Sequence, residues 1–402
     1  MGGVSMEWKE VRLGDVCSIQ RGASPRPIQK FISKEGMPWV KIADATGISS
    51  RYISSTSEYI IKEGVSKSRI VHPGDLIVSN SATPGLPKFM AIEACVHDGW
   101  LIIRDLDGID KVFLYYVFIN IRRRLSNQAN GSVFMNLKTD IVKDFVIKLP
   151  TLEDQRRIAS ILSSLDRKIE LNNKINADLE EMAQAIFKNW FVDFEPFKDG
   201  KFVDSELGMI PEGWKVGRLT EIASYMNGLA MQKFPPENNE DSLPVLKIKE
   251  LGQGFCGTDS DRCSCNIKDE CKIHNGDVIF SWSGTLLVDV WCGGDCGLNQ
   301  HLFKVTSKDH PKWFYYYWTK HHLQEFIHIA KDKAVTMGHI KRGHLEEALV
   351  AIPDNDSMDK AHDLFEPILS KMISLRMENS RLSLLRDTLL PRLMSGEIEI
   401  PE

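Results

Sequence analysis

An internal repeat that spans almost the whole chain constrains the fold more than any other feature of the sequence. The segment from Trp8 that leads to Arg21-Gly22 matches the segment from Trp214 that leads to Asn227-Gly228. Three further pairs follow at an offset of about 200 residues: His72–Ser79 with His274–Ser281, Phe113–Tyr116 with Trp313–Tyr316, and Phe134–Lys138 with Met337–Lys341. A nearly constant offset over this length indicates duplication of one structural unit.

Each copy combines short β-type runs with a long helix at its end. Apolar runs such as Asp75–Ser79 and Asp277–Ser281 are bounded by Gly, Pro, Ser and Asn, which predicts strands joined by turns. Thr151 and Asp154 follow a proline with the spacing of a capping box, which predicts a helix start. The sequence therefore predicts an α+β fold with two mixed, β-rich globular halves.

The two helices carry matched heptad patterns. From Ile158 to Trp190, apolar residues and asparagines recur at steps of four and three residues, and an offset of 203 finds a second seam from Ala361 to Leu389. Two such seams predict a pair of long antiparallel coiled-coil helices that separate the globular halves. If a pseudo-twofold axis relates the helices, Asn172 faces Asn379, a polar pair that fixes register.

These patterns divide the chain into five segments. We expect globular domains at residues 1–150 and 214–353, long helices at residues 151–193 and 354–402, and a linker at residues 194–213. Val112–Ile121, the longest apolar run, is far shorter than the ~20 residues that cross a bilayer, so we expect a cytoplasmic protein without a membrane segment. Eight cysteines in a chain of 402 residues are expected to be free thiols.

Charge is distributed unevenly between the halves. The whole chain has a net charge of −5, whereas residues 9–150 have a net charge of +6 and residues 214–353 a net charge of −1. Because electrostatic fields are screened over ~10 Å, a basic half of an acidic protein can still face a phosphate backbone. Nucleic acid therefore remains a possible partner.

Catalytic motifs are missing from the sequence. It has no Asn-Pro-Pro-Tyr-like loop for adenine flipping, no convincing glycine turn for a cofactor and no Walker loop, which argues against a chain that itself methylates or cuts DNA. Six cysteines between Cys256 and Cys296 contain enough thiols for a zinc site, yet they lack paired Cys-x-x-Cys spacing. We expect no bound metal, and elemental analysis of the purified protein would test this.

Four long strings in and after the helices identify a family resemblance. Leu149–Gln155, Ile186–Phe194, Leu207–Trp214 and Leu389–Ile398 resemble the specificity subunit of type I restriction-modification enzymes, over the full length of the chain. The resemblance implies that the halves are target recognition domains for a bipartite, asymmetric site in double-stranded DNA. It also implies that the helices space these domains and dock methyltransferase (modification) and restriction subunits.

The resemblance further implies a non-catalytic chain without its own cofactor, in which partner subunits bind S-adenosylmethionine, ATP and magnesium. A stand-alone sequence-specific DNA-binding protein is the alternative. Two loops after matched strands are candidate DNA contacts, through Asn80, Ser81 and Thr83 in the first half and Trp282, Ser283 and Thr285 in the second. Basic, amide or imidazole residues near predicted loops complete the set: Arg21, Arg26, Lys41, Lys88, Asn130, Asn136, Lys138, Lys247, Lys249, Lys333, His339, Lys341 and Arg342.

Overall fold

The structure, a computed structural model, describes residues 8–48, 50–129, 137–237, 241–332 and 338–398. It contains two compact units. Unit 1 comprises the chain up to Glu170 together with the segment from Leu382 onward, and unit 2 comprises Leu171–Arg381. Across the described ranges, no helix is long and apolar enough to cross a membrane.

Unit 1 is built from short strands and one long helix of its own. Its strands are β1 (Lys9–Arg12), β2 (Ser18–Arg21), β3 (Ile32–Ser33), β4 (Met37–Val40), β5 (Tyr52–Ile53), β6 (Glu58–Ile60), β7 (Arg69–Val71), β8 (Leu76–Ser79), β9 (Pro87–Met90), β10 (Ala94–Val96), β11 (Trp100–Arg104) and β12 (Val146–Leu149). Its helices are α1 (Leu13–Val16), α2 (Ile42–Thr46), α3 (Lys62–Val65), α4 (Lys111–Ala129), α5 (Thr139–Lys143) and the first part of α6 (Leu152–Phe191), with a 3-10 turn at Ile28–Lys30.

Two five-stranded sheets form the body of unit 1. Their strand orders are β2-β11-β8-β9-β5 and β3-β6-β4-β10-β7. Successive side chains of a strand point to opposite faces, so Leu76 and Val78 on β8 join the cluster that includes α4. Ile77 joins a second cluster with Trp100 and Ile102. Burial on both faces explains why these strands are continuously apolar in sequence.

Unit 2 repeats this construction. Its strands are β13 (Phe202–Ser205), β14 (Gly208–Pro211), β15 (Lys215–Arg218), β16 (Ser224–Asn227), β17 (Ser242–Leu246), β18 (Arg262–Ser264), β19 (Lys272–Ile273), β20 (Val278–Ser281), β21 (Leu287–Val290), β22 (Cys296–Leu298), β23 (Leu302–Thr306) and β24 (Leu349–Ile352). Its helices are α7 (Leu219–Ile222), α8 (Ile248–Gln253), α9 (Lys312–His321), α10 (Leu323–Asp332), α11 (Arg342–Glu347) and most of α12 (Asn355–Ser395), with 3-10 turns at Glu195–Phe197, Met231–Lys233 and Asp269–Cys271.

Strand register confirms that the halves are structural repeats. The sheets of unit 2 have the orders β16-β23-β20-β21 and β18-β17-β22-β19. Ser79 of β8 lies opposite Trp100 of β11, and Ser281 of β20 lies opposite Leu302 of β23. Each residue of the second pair is 202 positions after its counterpart in the first pair. The predicted α+β fold with two β-rich halves is therefore correct.

The long helices α6 and α12 contain 40 and 41 residues and each contributes to both units. Within unit 2 they run antiparallel, because Asn172 Nδ2 donates to Asn379 Oδ1 at 2.9 Å while the rings of Phe187 and Phe365 lie 6.3 Å apart. The predicted facing of Asn172 and Asn379 is confirmed. At the start of α6, the Thr151 hydroxyl accepts from the Asp154 backbone N–H at 3.3 Å, as the capping spacing predicted.

A buried ion cluster fastens the first half to the helices inside unit 1. Arg51, only 6% exposed, donates from Nε and Nη2 to the two carboxylate oxygens of Glu170, each at 2.9 Å. Asp166 accepts from Tyr116 at 2.5 Å and from Arg386 of α12 at 2.7 Å. Burial alone would raise the pKa of Glu170, but the hydrogen bonds and charge of Arg51 outweigh it and lower that pKa below 4.5.

Candidate nucleic-acid interface

The loops that follow β8 and β20 begin in the same way, although the first has seven residues (80–86) and the second has five (282–286). Ala82 and Gly284 occupy matched positions, and both adopt the left-handed conformation, with φ of 56° and 65°. The residue that opens each loop is held by the next turn of the chain: Asn80 N–H donates to Gly99 O at 2.8 Å, and Trp282 N–H donates to His301 O at 3.4 Å. The repeat thus places two equivalent polar loops beside two equivalent turns.

Each loop also pairs with the segment that precedes a short helix. Leu137 N–H donates to Asn80 O at 2.7 Å, and Ile340 N–H donates to Trp282 O at 3.1 Å. The next residues, Lys138 and Lys341, precede α5 and α11 and have exposed side chains. The structure therefore brings a basic residue to the same edge of each loop.

The opening residues of the two loops carry unsatisfied polar atoms. Asn80 Oδ1 and Trp282 Nε1 are buried and have no hydrogen-bond partner in the described part of the chain. Buried polar groups are nearly always paired in folded proteins, so an orphan at the same position in both repeats is unusual. A bound ligand or an ordered water would satisfy both atoms.

In unit 1 the loop borders a cleft of about 930 Å³, which we call the first cleft. Its polar and aromatic lining consists of Ser24, Arg26, Gln29, Trp39, Lys41, Glu58, Ser81, His97 and Asp98. Asp98 connects three of the surrounding side chains. Ser24 Oγ donates to its carboxylate at 2.7 Å, and the guanidinium groups of Arg21 and Arg26 each lie 3.5 Å from that carboxylate. Burial would raise the pKa of Asp98, but the Ser24 hydrogen bond and the Arg21 charge lower it. Lys41 pairs with Glu58 at 2.7 Å.

In unit 2 the corresponding second cleft is smaller, about 450 Å³. Its polar lining consists of Gln232, Lys247, Asp261, Arg262, Asn299, Gln300 and His301. Lys247 forms an ion pair with Asp261, as Lys41 does with Glu58 in the first cleft. Ser283 Oγ lies 3.1 Å from His301 Nδ1, and the Trp282 ring lies 6.0 Å from that of His301.

A glycine fixes the same close approach beside each cleft. A Cβ atom added to Gly22 would lie 2.2 Å from His97 O, and one added to Gly228 would lie 2.2 Å from Leu298 O. No side chain fits at these distances, which explains why the Arg21-Gly22 and Asn227-Gly228 pairs recur in the repeat. The glycines hold the strand ends against the turns that line the clefts.

Most of the predicted DNA contacts gather around the two clefts. Arg26, Lys41 and Ser81 line the first cleft, and its adjoining segments contain Arg21, Asn80, Thr83 and Lys138. Lys247 lines the second cleft, and its adjoining segments contain Trp282, Ser283, Thr285, His339, Lys341 and Arg342. Lys249 lies on α8, where it pairs with Asp259 at 2.7 Å, and it does not line the cleft. Asn130, Asn136 and Lys333 lie outside the described residues.

Lys88 does not fit its predicted role as a DNA contact. Its side chain lies in a fully buried strand and is 5% exposed, and its ammonium group donates to the backbone carbonyls of Ile48, at 3.1 Å, and Ser50. Burial, reinforced by the charge of Arg122, lowers the pKa of Lys88 to about 8. This lysine anchors the chain before β5 and cannot reach a phosphate.

Several cleft residues were not among the DNA contacts predicted from the sequence. The turn between β10 and β11 supplies His97 and Asp98, and the matching turn between β22 and β23 supplies Asn299, Gln300 and His301. A signal was present, because each turn is a short polar break between two apolar runs at the same place in the repeat. Burial also lowers the pKa of His97 below its ordinary value of 6.5.

Four of the cysteines of unit 2 are divided between two buried clusters, Cys256 and Cys296 in one and Cys263 and Cys271 in the other. Cys256 and Cys296 contact each other, Cys265 donates to Asp241 O at 2.7 Å, and Cys271 packs in a different cluster from Cys296. Among the residues that the structure describes, no three His, Cys, Asp or Glu side chains are arranged to hold a metal ion.

Comparison with known proteins identifies the family. The profile of the type I restriction modification DNA specificity domain matches residues 6–181 and 211–368, one match for each repeated half. The chain belongs to this family. Membership of the type I DNA specificity family makes recognition of a DNA sequence the function of this protein, in line with two clefts that present cationic and amide side chains.

Relatives in this family match over nearly their whole length. The type I restriction enzyme MjaIX specificity subunit of Methanocaldococcus jannaschii is 29% identical, with 100% of this chain and 96% of that protein covered. The type I restriction enzyme HindI specificity subunit of Haemophilus influenzae is 22% identical, with 98% and 100% covered. The crystal structure of a type I restriction-modification S subunit from M. genitalium has the same fold, with a TM-score of 0.55 at 15% identity over 100% of this chain and 98% of that one.

Proposed function

We propose that this chain is the DNA-recognition subunit of a type I restriction-modification complex and that each half recognises one part of a bipartite, asymmetric site in double-stranded DNA. The observation that carries the proposal is the pair of clefts at matched positions with unlike side chains. Repetition of the framework provides two similar recognition surfaces, whereas divergence of the side chains gives them different targets. A DNA-binding protein whose two halves differ recognises an asymmetric site.

Local charge supports contact with DNA in spite of the acidic total. The first half, residues 9–150, has a net charge of +6. Arg26 is exposed at its cleft, and Arg21 and Lys138 are exposed on adjoining segments. In the second half, Lys341 and Arg342 are exposed beside the equivalent loop. Cationic side chains at such edges bind phosphates and set the register, while groups within the clefts contact base edges.

The long helices carry the proposed docking surfaces for methyltransferase and restriction subunits. Leu171 and Met182 on α6 are 53% and 45% exposed, and Leu384 and Leu385 on α12 are 70% and 46% exposed. Apolar side chains repeated along exposed helix faces favour contact with partner proteins. In this proposal the chain itself catalyses no reaction, and the partner subunits bind S-adenosylmethionine, ATP and magnesium.

The decisive experiment maps methylated sites in cells that produce this chain together with its methyltransferase subunit. We expect methylation at one bipartite sequence only when both proteins are present. Replacement of residues 214–353 by the corresponding half of a relative should change one part of that sequence and leave the other part intact.

Two outcomes would contradict the proposal. A change in both parts of the sequence, or in neither, would show that the halves do not act as separate recognition modules. Sequence-specific binding by a chain that neither co-purifies with a methyltransferase nor directs methylation would instead favour a stand-alone DNA-binding protein. A control exchange restricted to the hairpin of β13 and β14 should leave the recognised sequence unchanged.

A further inference from the structure

The two clefts present different hydrogen-bonding groups at matched positions of the repeat. The last residue of β2 is Arg21, and the last residue of β16 is Asn227. The turn after β10 contains Asp98, and at the same place the turn after β22 contains Gln300. Because the neighbouring glycines hold strand end and turn together in both halves, these side chains occupy equivalent places.

The first cleft gathers two guanidinium groups around one carboxylate. Arg21 Nε donates to the backbone carbonyl of Asp98 at 2.7 Å, and both Arg21 and Arg26 lie 3.5 Å from the Asp98 carboxylate. The side chains of Arg21 and Arg26 remain 53% and 81% exposed, so their outer N–H groups are available to a ligand. Asp98, itself held by Ser24, acts as a positioning residue for the two arginines.

Arg26 has no counterpart in the second half. Five residues separate Gly22 from the 3-10 turn Ile28–Lys30, whereas two residues separate Gly228 from the equivalent turn Met231–Lys233. The longer segment of the first half carries Arg26 to the rim of its cleft. The difference in length therefore adds a second arginine to one cleft alone.

At the positions that match Arg21 and Asp98, the second half carries amides instead. Asn227 is exposed beside the cleft, Gln300 is partly exposed in its lining, and Gln232 is exposed on the adjoining 3-10 turn. Arg262, which also lines this cleft, is tied to Ser242 through a 2.8 Å hydrogen bond from Nε and a second bond to the Ser242 carbonyl. The side chains that extend from the matched positions of the second cleft are thus amides.

Arginine and amide side chains match different bases in the major groove. Guanine offers two acceptors, O6 and N7, that fit the paired donors of a guanidinium group. Adenine offers one acceptor and one donor, N7 and the N6 amino group, that fit the carbonyl and NH₂ of Asn or Gln. A lysine can also donate to O6 and N7, but it lacks the planar pair of donors that arginine offers, so we expect it to discriminate guanine less strongly.

We infer that the first cleft recognises guanine through Arg21 and Arg26, and that the second cleft recognises adenine through Asn227 and Gln300. This inference rests on the proposed function, since it requires both clefts to face base pairs of one bipartite site. The base recognised in each part of the site then follows from a guanidinium or an amide at the same position of a repeated framework.

The test is selection of DNA duplexes from a randomised pool by the full-length chain, together with any methyltransferase subunit that co-purifies with it. The wild-type chain should select a bipartite site with guanine in one part and adenine in the other. Arg21→Ala and Arg26→Ala, singly and combined, should reduce the guanine preference in one part about 5- to 150-fold per contact. Asn227→Ala and Gln300→Ala should do the same for adenine in the other part.

Conservative variants separate base recognition from phosphate binding and from misfolding. Arg21→Lys and Arg26→Lys retain the charge beside Asp98, so we expect an unchanged thermal midpoint together with a weakened guanine preference. An undiminished guanine preference in the Arg21→Ala/Arg26→Ala double variant would overturn the inference. Arg12→Ala removes an arginine of similar exposure, 58%, on β1 outside the cleft and should leave both parts of the site unchanged.

The outcomes also separate this inference from the proposed function. A wild-type chain that selects no bipartite site would overturn both. A wild-type chain that selects a bipartite site, with arginine variants that alter no base or alter a base other than guanine, would overturn the base assignment and leave the proposed function standing.

Discussion

At the scale of single residues, the contact of Arg51 with Glu170 shows how the first half is held on α6. The guanidinium group is 6% exposed and makes two hydrogen bonds to one carboxylate. Removal of Arg51 leaves the Glu170 carboxylate, 25% exposed, and the Asp166 carboxylate, 6% exposed, without this compensating charge. Removal of one partner is therefore expected to destabilise the fold by more than the intact pair stabilises it.

We expect Arg51→Met to reduce the free energy of unfolding by about 3–5 kcal/mol at pH 7. Because Arg51 lowers the pKa of Glu170, the stabilisation is complete above pH 4.5 and is lost as the pH falls through the lowered value. The difference between wild type and variant should thus shrink on acidification, as measured by urea unfolding at pH 7 and at pH 3.5. A difference that grows at low pH would contradict this assignment.

The matched control for this variant is Lys198→Ala, which removes an ion pair with Glu195 at the surface. The side chains of Lys198 and Glu195 are 59% and 44% exposed, and we expect a change below about 1 kcal/mol.

The sequence predicted individual site residues where the repeat aligns polar loops, and it failed where tertiary packing decides. Ser81 and Ser283 were predicted from comparison of the halves together with the family resemblance; Ser81 lines the first cleft, and Ser283 contacts His301 of the second. Lys88 lies in a short strand whose sequence suggests one exposed face. The segment that contains Ile48 and Ser50 covers the Lys88 side chain. Because this contact joins residues that are about 40 positions apart, no local sequence pattern predicts it. Asp98 was missed because its importance depends on two arginines that are distant in sequence.

At the scale of elements, α6 and α12 could be predicted closely because a heptad pattern is a strong local signal. The pattern also located the Asn172–Asn379 contact, in which Asn172 Nδ2 donates to Asn379 Oδ1 at 2.9 Å and to Glu378 at 2.8 Å. Asn172 is fully buried. Polar pairs in such a seam specify register while they reduce stability. Short strands were harder to delimit, since strands of two to five residues carry little periodicity.

We expect Asn172→Leu to destabilise the helix pair by about 1–3 kcal/mol, because Asn379 then loses a buried donor. Addition of Asn379→Leu should recover stability, so that the double variant unfolds at a higher urea concentration than either single variant. Leu171→Ala, at a neighbouring position that is 53% exposed, serves as the control and should change stability by less than about 0.5 kcal/mol. A double variant less stable than both single variants would show that the asparagines do not act as a pair.

At the scale of the whole molecule, the core of unit 1 is assembled from distant parts of the chain. Leu390, Leu393 and Met394 of α12 belong to the same buried cluster as Leu13 and Phe113, with exposures of 7% or less. Unit 2, by contrast, is one continuous segment from Leu171 to Arg381. The boundaries of the two sequence repeats therefore differ from the boundaries of the two compact units.

A chain that stops after Arg381 should retain a folded unit 2 and an unstable unit 1. Loss of each buried leucine or methionine costs about 2–5 kcal/mol, and three are removed together. We expect amide hydrogen exchange in β8 and β11 to accelerate strongly while exchange in β20 and β23 stays slow. The full-length variant Leu384→Ala, at a position that is 70% exposed, should match wild type in both sheets. Equal protection of both units in the shortened chain would refute the dependence.

The discontinuous make-up of unit 1 has a consequence for synthesis on the ribosome. Translation proceeds at about 5–20 residues per second, so the interval between the completion of Glu170 and that of Leu382 lasts about 10 to 40 s. Throughout that interval the nascent first half lacks the part of its core that α12 supplies, while Leu171–Arg381 emerges whole. The domain made first is thus completed last, and its apolar surface is the one that a nascent-chain chaperone would have to shield.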